Sequence, residues 1–358
     1  MKFISSDRVP GFLEALTAHA TVWAPRELTG SGGTVMFERW RAGDPIDLEH
    51  FSSLSAKDVV LPRTEKLFGY TYAFGGSPFG GGGVFGGSGP ESAGEQIVID
   101  PAEPAPSAVL FGARACDAKA IQVLDALFNN PEGKGYNDPQ YKGRRDGLTV
   151  ITLACITCDD ACFCSSFENG TSEKAGSDMI LYPVDGGFQA EGVTEKGEEL
   201  LKESYFEESE LAPPPLAETA VIEGLDRLEE ILPGLFDDMD FWQEVSERCV
   251  SCGFCTYGCP TCHCFNIHDE MQGDREGERL RSWDACMFSL YTQETSGHNP
   301  RPTLAHRYRN RINHKFSYYP ENQGEILCTG CGRCIRGCPA ALDIRDVLRE
   351  ALKAARGE

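Results

Sequence analysis

The chain has 358 residues, with 33 Lys and Arg against 55 Asp and Glu, a formal net charge of −22 and a pI near 4.7. Hydrophobic residues make up 41% and charged residues 25%, ordinary proportions that exclude wholesale disorder, and the length suits two domains. So acidic a chain repels phosphate backbones and anionic lipid, so neither nucleic acid nor a membrane is an expected partner. Cysteine is the outlier, at 16. A secreted disulfide framework belongs to short chains. The opening MKFISSDRVPGF has no apolar signal core, and no window approaches 18 continuous apolar residues. These features predict a cytoplasmic, reduced protein whose thiols serve metal.

The N-terminal part, 1–210, reads as an α+β (or α/β) domain. A Gly-rich stretch at 74–90 contains a formal G-x-G-x-x-G at Gly81, Gly83 and Gly86. The Ser88-Gly-Pro-Glu-Ser-Ala-Gly that follows makes a poor helix start, so a surface loop or insertion is expected rather than a dinucleotide site. Ala108–Phe111 is a short apolar run that predicts a buried strand, followed by a helix capped at Asp117 and carrying Ile121, Leu124 and Phe128. Leu148–Leu153 is a second strand, leading straight into Cys155. Met179–Val184 and Phe188–Ala190, joined through Asp185-Gly186-Gly187, read as a hairpin. Leu211-Ala-Pro-Pro-Pro-Leu216 reads as a linker. Val221, Leu225, Leu228 and Ile231 then mark one face of a helix that Pro233 stops, which places the boundary within 211–240. From 241 to 358, cysteine runs alternate with helical segments. Trp283, Met287 and Leu290 fall at helical spacing, and Ile344, Val347, Leu348, Ala351 and Leu352 share one helical face. No strand is expected there, so an all-helical dicluster ferredoxin domain is predicted.

Five cysteines lie in the first half and eleven between Cys249 and Cys338. Cys249-x2-Cys252-x2-Cys255-x3-Cys259-Pro260 is the bacterial ferredoxin run for a [4Fe–4S] cluster, and Cys328-x2-Cys331-x2-Cys334-x3-Cys338-Pro339 repeats its spacing. Three thiolates in a tight turn hold three irons of one cube, while the fourth reaches the neighbouring cube. This assigns Cys249, Cys252, Cys255 and Cys338 to one cluster and Cys328, Cys331, Cys334 and Cys259 to a second. The bland alternative, two zinc ribbons, does not require the x3-C-P ending.

A third [4Fe–4S] cluster is expected in the N-terminal domain. Ligands gather beyond the carboxyl ends of parallel strands, where Cys116 and Cys155 would emerge. Cys162 and Cys164 would complete four, although spacing alone does not choose among Cys155, Cys158, Cys162 and Cys164. Buried structural cysteine is the competing reading. Cys262, Cys264 and Cys286, with His263 and His268 nearby, read first as thiols packed against a cluster and second as a redox or metal site. The basic run His306–Lys315 suggests nucleic acid in isolation. In a chain this acidic, it reads instead as cations beside anionic clusters or a dock for an acidic partner.

Together these motifs resemble a known family: the beta subunit of soluble sulfhydrogenases, which are NAD(P)-linked nickel–iron hydrogenases, and the corresponding iron–sulfur subunit of anaerobic sulfite reductase. The resemblance is carried by Leu61-Pro-Arg-Thr-Glu-Lys-Leu-Phe68, Phe111-Gly-Ala-Arg-Ala-Cys-Asp117, Cys162-Phe-Cys164, Cys259-Pro-Thr-Cys-His-Cys264, Trp283-Asp-Ala-Cys286, Gly297-His-Asn-Pro-Arg-Pro-Thr303 and Arg307-Tyr-Arg-Asn-Arg311. The Gly-rich stretch is a departure from the family pattern. The resemblance implies Cys116, Cys155, Cys162 and Cys164 as the N-terminal ligands, without Cys158. It also implies an electron-relay subunit between an FAD/NAD(P)-binding flavoprotein and a hydrogenase, sulfite reductase or other catalytic iron–sulfur subunit. The alternative is a chain that is itself catalytic, using Cys262, Cys264 and Cys286 as a thiol reductase of heterodisulfide or polysulfide type.

Overall fold

A computed structural model describes residues 1–73, 96–130 and 132–356; the Gly-rich stretch with Gly81, Gly83 and Gly86 lies outside them. Twelve strands are described: β1 Lys2–Ser5, β2 Thr21–Glu27, β3 Val35–Arg39, β4 Thr64–Ala73, β5 Gln96–Pro101, β6 Ala108–Ala113, β7 Leu148–Leu153, β8 Met179–Val184, β9 Gly187–Gly192, β10 Glu207–Glu208, β11 Phe265–Met271 and β12 Glu276–Trp283. Two compact units contain them. One comprises Met1–Leu61, Ala105–Cys264 and Asp284–Glu358; the other comprises Pro62–Pro104 and Phe265–Trp283. This division does not follow the expected boundary within 211–240.

The larger unit holds a mixed eight-stranded sheet in the order β10-β1-β9-β8-β7-β6-β2-β3. Its centre is parallel: β6 pairs with β2 and β7, and β7 with β8. Strands buried on both faces read as continuous apolar runs, and Val109, Leu110, Phe111, Val150 and Ile151 are at most 4% exposed. The expected hairpin is β8–β9, turning at Asp185 and Gly186. The helix after β6 spans Ala115–Phe128 and starts two residues before Asp117. Arg114 takes the N-cap position and Asp117 accepts from its backbone N–H, so Cys116 lies inside the first turn.

The rest of this unit is helical around a second core. Helices Met239–Ser246, Leu304–Asn313 and Ile344–Ala354 contribute Trp242, Tyr308, Ile312, Val347, Leu348 and Leu352. The last helix buries all five residues of its expected face. The expected 221–231 helix is broken into short turns over Leu225–Leu235 that continue through Pro233, and Val221 is exposed. The chain is anchored directly after the linker-like stretch: Ala217 N donates to Cys155 O (2.8 Å), and Ser165 N donates to Thr219 Oγ1 (2.8 Å).

The C-terminal part is not wholly helical. β11 and β12 form a hairpin, and β12 pairs with β4, in the sheet β11-β12-β4-β5 of the smaller unit. Trp283 ends a strand, and no helix covers Met287 or Leu290. Asp284 N donates to Cys264 O (2.9 Å) where the chain returns to the larger unit. Among the described residues, no helix is long and apolar enough to cross a membrane.

Candidate metal centres

The two ferredoxin-like runs trace the same backbone. Two residues after the first cysteine, Ser251 and Gly330 have φ of 53° and 65°; directly after the second, Gly253 and Gly332 have φ of 76° and 72°. A short helix then carries the third cysteine, Phe254–Tyr257 with Cys255 in one run and Arg333–Arg336 with Cys334 in the other. The left-handed residues turn the chain sharply enough to point successive thiols inward. Gly330 also has no space for a side chain, because a Cβ there would stand 2.5 Å from Cys164 N. This close approach seats the second run against the Cys162–Cys164 loop.

Among the described residues, three small cavities are lined by four or more cysteines each. The Cys249 cavity is lined by Cys249, Cys252, Cys255, Cys338 and Cys334, with Tyr308 and Arg311. The Cys259 cavity is lined by Cys259, Cys328, Cys331 and Cys334, with Lys315 and Arg311. The Cys259 cavity thus gathers three thiols from one run and one from the other, and the Cys249 cavity three from one run and two from the other. The Cys116 cavity is lined by Cys116, Cys155, Cys158, Cys162 and Cys164, together with Arg333 and Arg336. Parallel pairing of β6 with β7 delivers Cys116 and Cys155 to one edge. A turn closed by Cys162 N donating to Asp159 O (3.1 Å), then a 3-10 turn from Cys164, brings in the other two. Cys158 shares this cavity, and its thiol donates to Glu218 O (3.2 Å).

The cavities form a row. Cys331 lines both the Cys116 and Cys259 cavities, while Cys334, Arg311 and Ile344 line both the Cys259 and Cys249 cavities. The Cys249 end reaches the surface, where Cys252 is exposed.

Burial disfavours the thiolate at several of these cysteines. It pushes Cys155, Cys255 and Cys328 up to about 11 and Cys162 up to about 12. Cys259 shifts the other way. A hydrogen bond from Cys262 holds it well below the usual thiol range against its burial, with Lys315 and Arg311 adding attraction. Lys315 is 2% exposed, and its Nζ stands 3.3 Å from Cys259 Sγ.

Four features fit [4Fe–4S] clusters: four or more thiols around each small cavity, a fourth ligand exchanged between runs, left-handed turns, and buried cations facing sulfur. Among the described residues, no three His, Cys, Asp or Glu side chains converge tightly enough to hold a single metal ion.

Cys262, Cys264 and Cys286 are not among the residues lining these cavities. Arg311 Nη1 lies 3.6 Å from Cys262 Sγ. Cys264 hydrogen-bonds Cys286, drawing that thiol down to about 6 and pushing its own up. His263 packs on Phe128 and His314 instead, with ring centroids 5.6 and 5.4 Å apart. His268 lies on β11, in the smaller unit. The basic run points inward, with Arg307, Arg311 and Lys315 all buried. Sequence reasoning missed Arg333, hidden between two cysteines. It pairs with Asp117 at 2.8 Å, both groups almost fully buried. It also missed Thr219, whose position is set by the strap crossing Ser165.

Comparison with known proteins adds two findings. The 4Fe-4S dicluster domain family matches residues 248–342, the span holding both runs. Sulfhydrogenase 2 subunit beta of Pyrococcus furiosus is 32% identical over 259 residues, covering 68% of this chain and 75% of the relative. No solved structure matches. The chain therefore belongs to the sulfhydrogenase beta-subunit family, and its C-terminal part is a 4Fe-4S dicluster domain.

Proposed function

We propose that the chain is a cytoplasmic, non-catalytic electron-transfer subunit carrying three [4Fe–4S] clusters. The ligand sets are Cys249, Cys252, Cys255 and Cys338; Cys259, Cys328, Cys331 and Cys334; and Cys116, Cys155, Cys162 and Cys164. The observation that carries the reading is the row of three cysteine-lined cavities, each sharing wall residues with the next. When bound, the clusters supply one-electron chemistry. The chain's own residues exclude water, hold the sulfurs at fixed separations and set the surrounding charge. Electrons would pass along the row between an FAD/NAD(P)-binding flavoprotein subunit and a catalytic or further relay subunit of a hydrogenase or sulfite reductase type. The relative's name supports the hydrogenase setting. Burial of Cys262 and Cys286, each 7% exposed, favours relay over direct thiol chemistry.

Replacing Cys334 by Ser tests this role in the assembled complex. Electron flow from NAD(P)H to the terminal acceptor should stop while the flavoprotein still reduces an artificial dye. Unchanged flow through an intact complex would refute the relay.

A further inference from the structure

The cations around the three cavities are unequally balanced. At the Cys116 cavity both are neutralised: Arg333 pairs with Asp117 at 2.8 Å, and Arg336 with Asp159 at 2.7 Å. At the other two cavities the contacts of the buried cations are different. Lys315 Nζ has three acceptors, Leu327 O at 2.8 Å, Thr261 Oγ1 at 3.2 Å and Cys259 Sγ at 3.3 Å. Three acceptors match the three N–H bonds of an ammonium ion. Arg311 stands four residues earlier, lines the same cavity and reaches Cys262 Sγ. Two like charges buried together are costly unless an anion lies against them.

We infer that Lys315 and Arg311 make the cluster in the Cys259 cavity the highest-potential centre of the row, with the Cys249 cavity next and the Cys116 cavity lowest. The inference rests on the cluster assignment proposed above. Among the described residues that line the cavities, cations without a carboxylate partner are Lys315 and Arg311 at the Cys259 cavity, Arg311 alone at the Cys249 cavity, and none at the Cys116 cavity. Each cluster takes up one electron and becomes more negative. A fixed buried cation stabilises that reduced form, because the surrounding dielectric screens it weakly. The ammonium hydrogen bond to Cys259 sulfur acts in the same direction.

Beyond the linings, Arg114 acts on Cys155 while donating to Leu48 O (2.8 Å). Cys286 faces Arg311, which lines both the Cys259 and Cys249 cavities and so does not alter their order; Lys315 is what separates them. His263 and His314 are held neutral, drawn down to about 4 and about 3 by burial. The buried Lys57 Nζ donates to Thr256 O and Cys262 O, and Lys57 is not among the residues lining the three cavities. The lysine sits in the π-helical turn His314–Tyr318, an irregularity that resets which side chains face inward. The electron would therefore rest on the middle centre, with both ends of the row able to feed it.

The test is a redox titration of the cluster-loaded full chain, followed by electron paramagnetic resonance, with iron counted in every sample. In wild type, the signal first to appear on reduction should be the one lost in Cys328→Ser and kept in Cys116→Ser. Lys315→Met should lower that one midpoint potential, and Lys315→Arg should restore most of it. Arg311→Gln should lower the potentials of both the Cys259 and Cys249 centres. Full iron with unmoved potentials, or a first signal lost in Cys116→Ser, would overturn this inference alone. Absence of iron from the wild-type cavities would instead overturn the cluster assignment. Should Lys315→Met lose iron, the wild-type ranking and Lys315→Arg decide the matter.

Discussion

The ion pair between Asp117 and Arg333 joins the first turn of the helix after β6 to the third-cysteine helix of the second run. Its groups are 2.8 Å apart and at most 2% exposed. Arg333 also donates to Ser52 O at 3.0 Å. Arg333→Met leaves the Asp117 carboxylate buried, with the Arg114 backbone N–H as its remaining named donor. Breaking one side of a buried pair costs about 3–5 kcal/mol, whereas replacing both partners with apolar groups is close to neutral. The single variants Arg333→Met and Asp117→Leu should therefore each lose that amount, and the double variant should recover most of it. At roughly 2 °C per kcal/mol for a chain this large, the singles should melt about 6–10 °C lower. Anaerobic melting of the cluster-loaded protein, with iron counted before and after, reads the cycle. Strictly additive losses in the double variant would refute the view that the two charges stabilise each other.

Three further outcomes follow from the same geometry. Gly330→Ala places a Cβ 2.5 Å from Cys164 N at a φ of 65°, so it should cost at least about 1–2 kcal/mol and lower iron content, as judged by melting and iron assay. Cys116→Ser and Cys164→Ser should each remove about four irons, whereas Cys158→Ser should leave iron and cluster spectra unchanged. A dispensable Cys116 with an essential Cys158 would reverse the assignment. His263 has its pKa lowered from 6.5 to about 4, mainly by burial. Its stabilising contribution is therefore complete above pH 6.5 and is lost as pH falls towards 4. The contribution is bounded by about 3 kcal/mol and reduced by the ring's partial exposure. His263→Gln should flatten the fall in melting temperature across that window; an unchanged slope would exclude this histidine.

How much the sequence discloses depends on which interaction forms each element. The parallel strands Ala108–Ala113 and Leu148–Leu153 are buried on both faces, so their apolar runs announce them. The helix Ile344–Ala354 buries one face and shows it as spacing. The cysteine runs are equally legible, because ligand spacing is local geometry. The hairpin Phe265–Trp283 is different. Most residues of Phe265–Met271 are exposed, and cross-strand ion pairs such as Arg279–Asp269 (2.8 Å) and Lys66–Glu278 (2.8 Å) line it rather than alternating apolar residues. The short turn at 272–275 joins the two strands of the hairpin, but the strand that extends it into a sheet, β4, lies about 200 residues away, so no local pattern signals that pairing. Trp283 and Met287 fall at helical spacing by coincidence, one closing a strand and the other buried in the helical core. The Asp117–Arg333 pair is illegible for a related reason: each residue looks ordinary until the fold brings them together.

The most direct measurement is the iron and acid-labile sulfide content of anaerobically purified protein, with zinc determined alongside. Three [4Fe–4S] clusters predict about twelve irons and twelve sulfides per chain. About eight of each would remove the cluster from the Cys116 cavity, and stoichiometric zinc in place of iron would contradict the reading of all three.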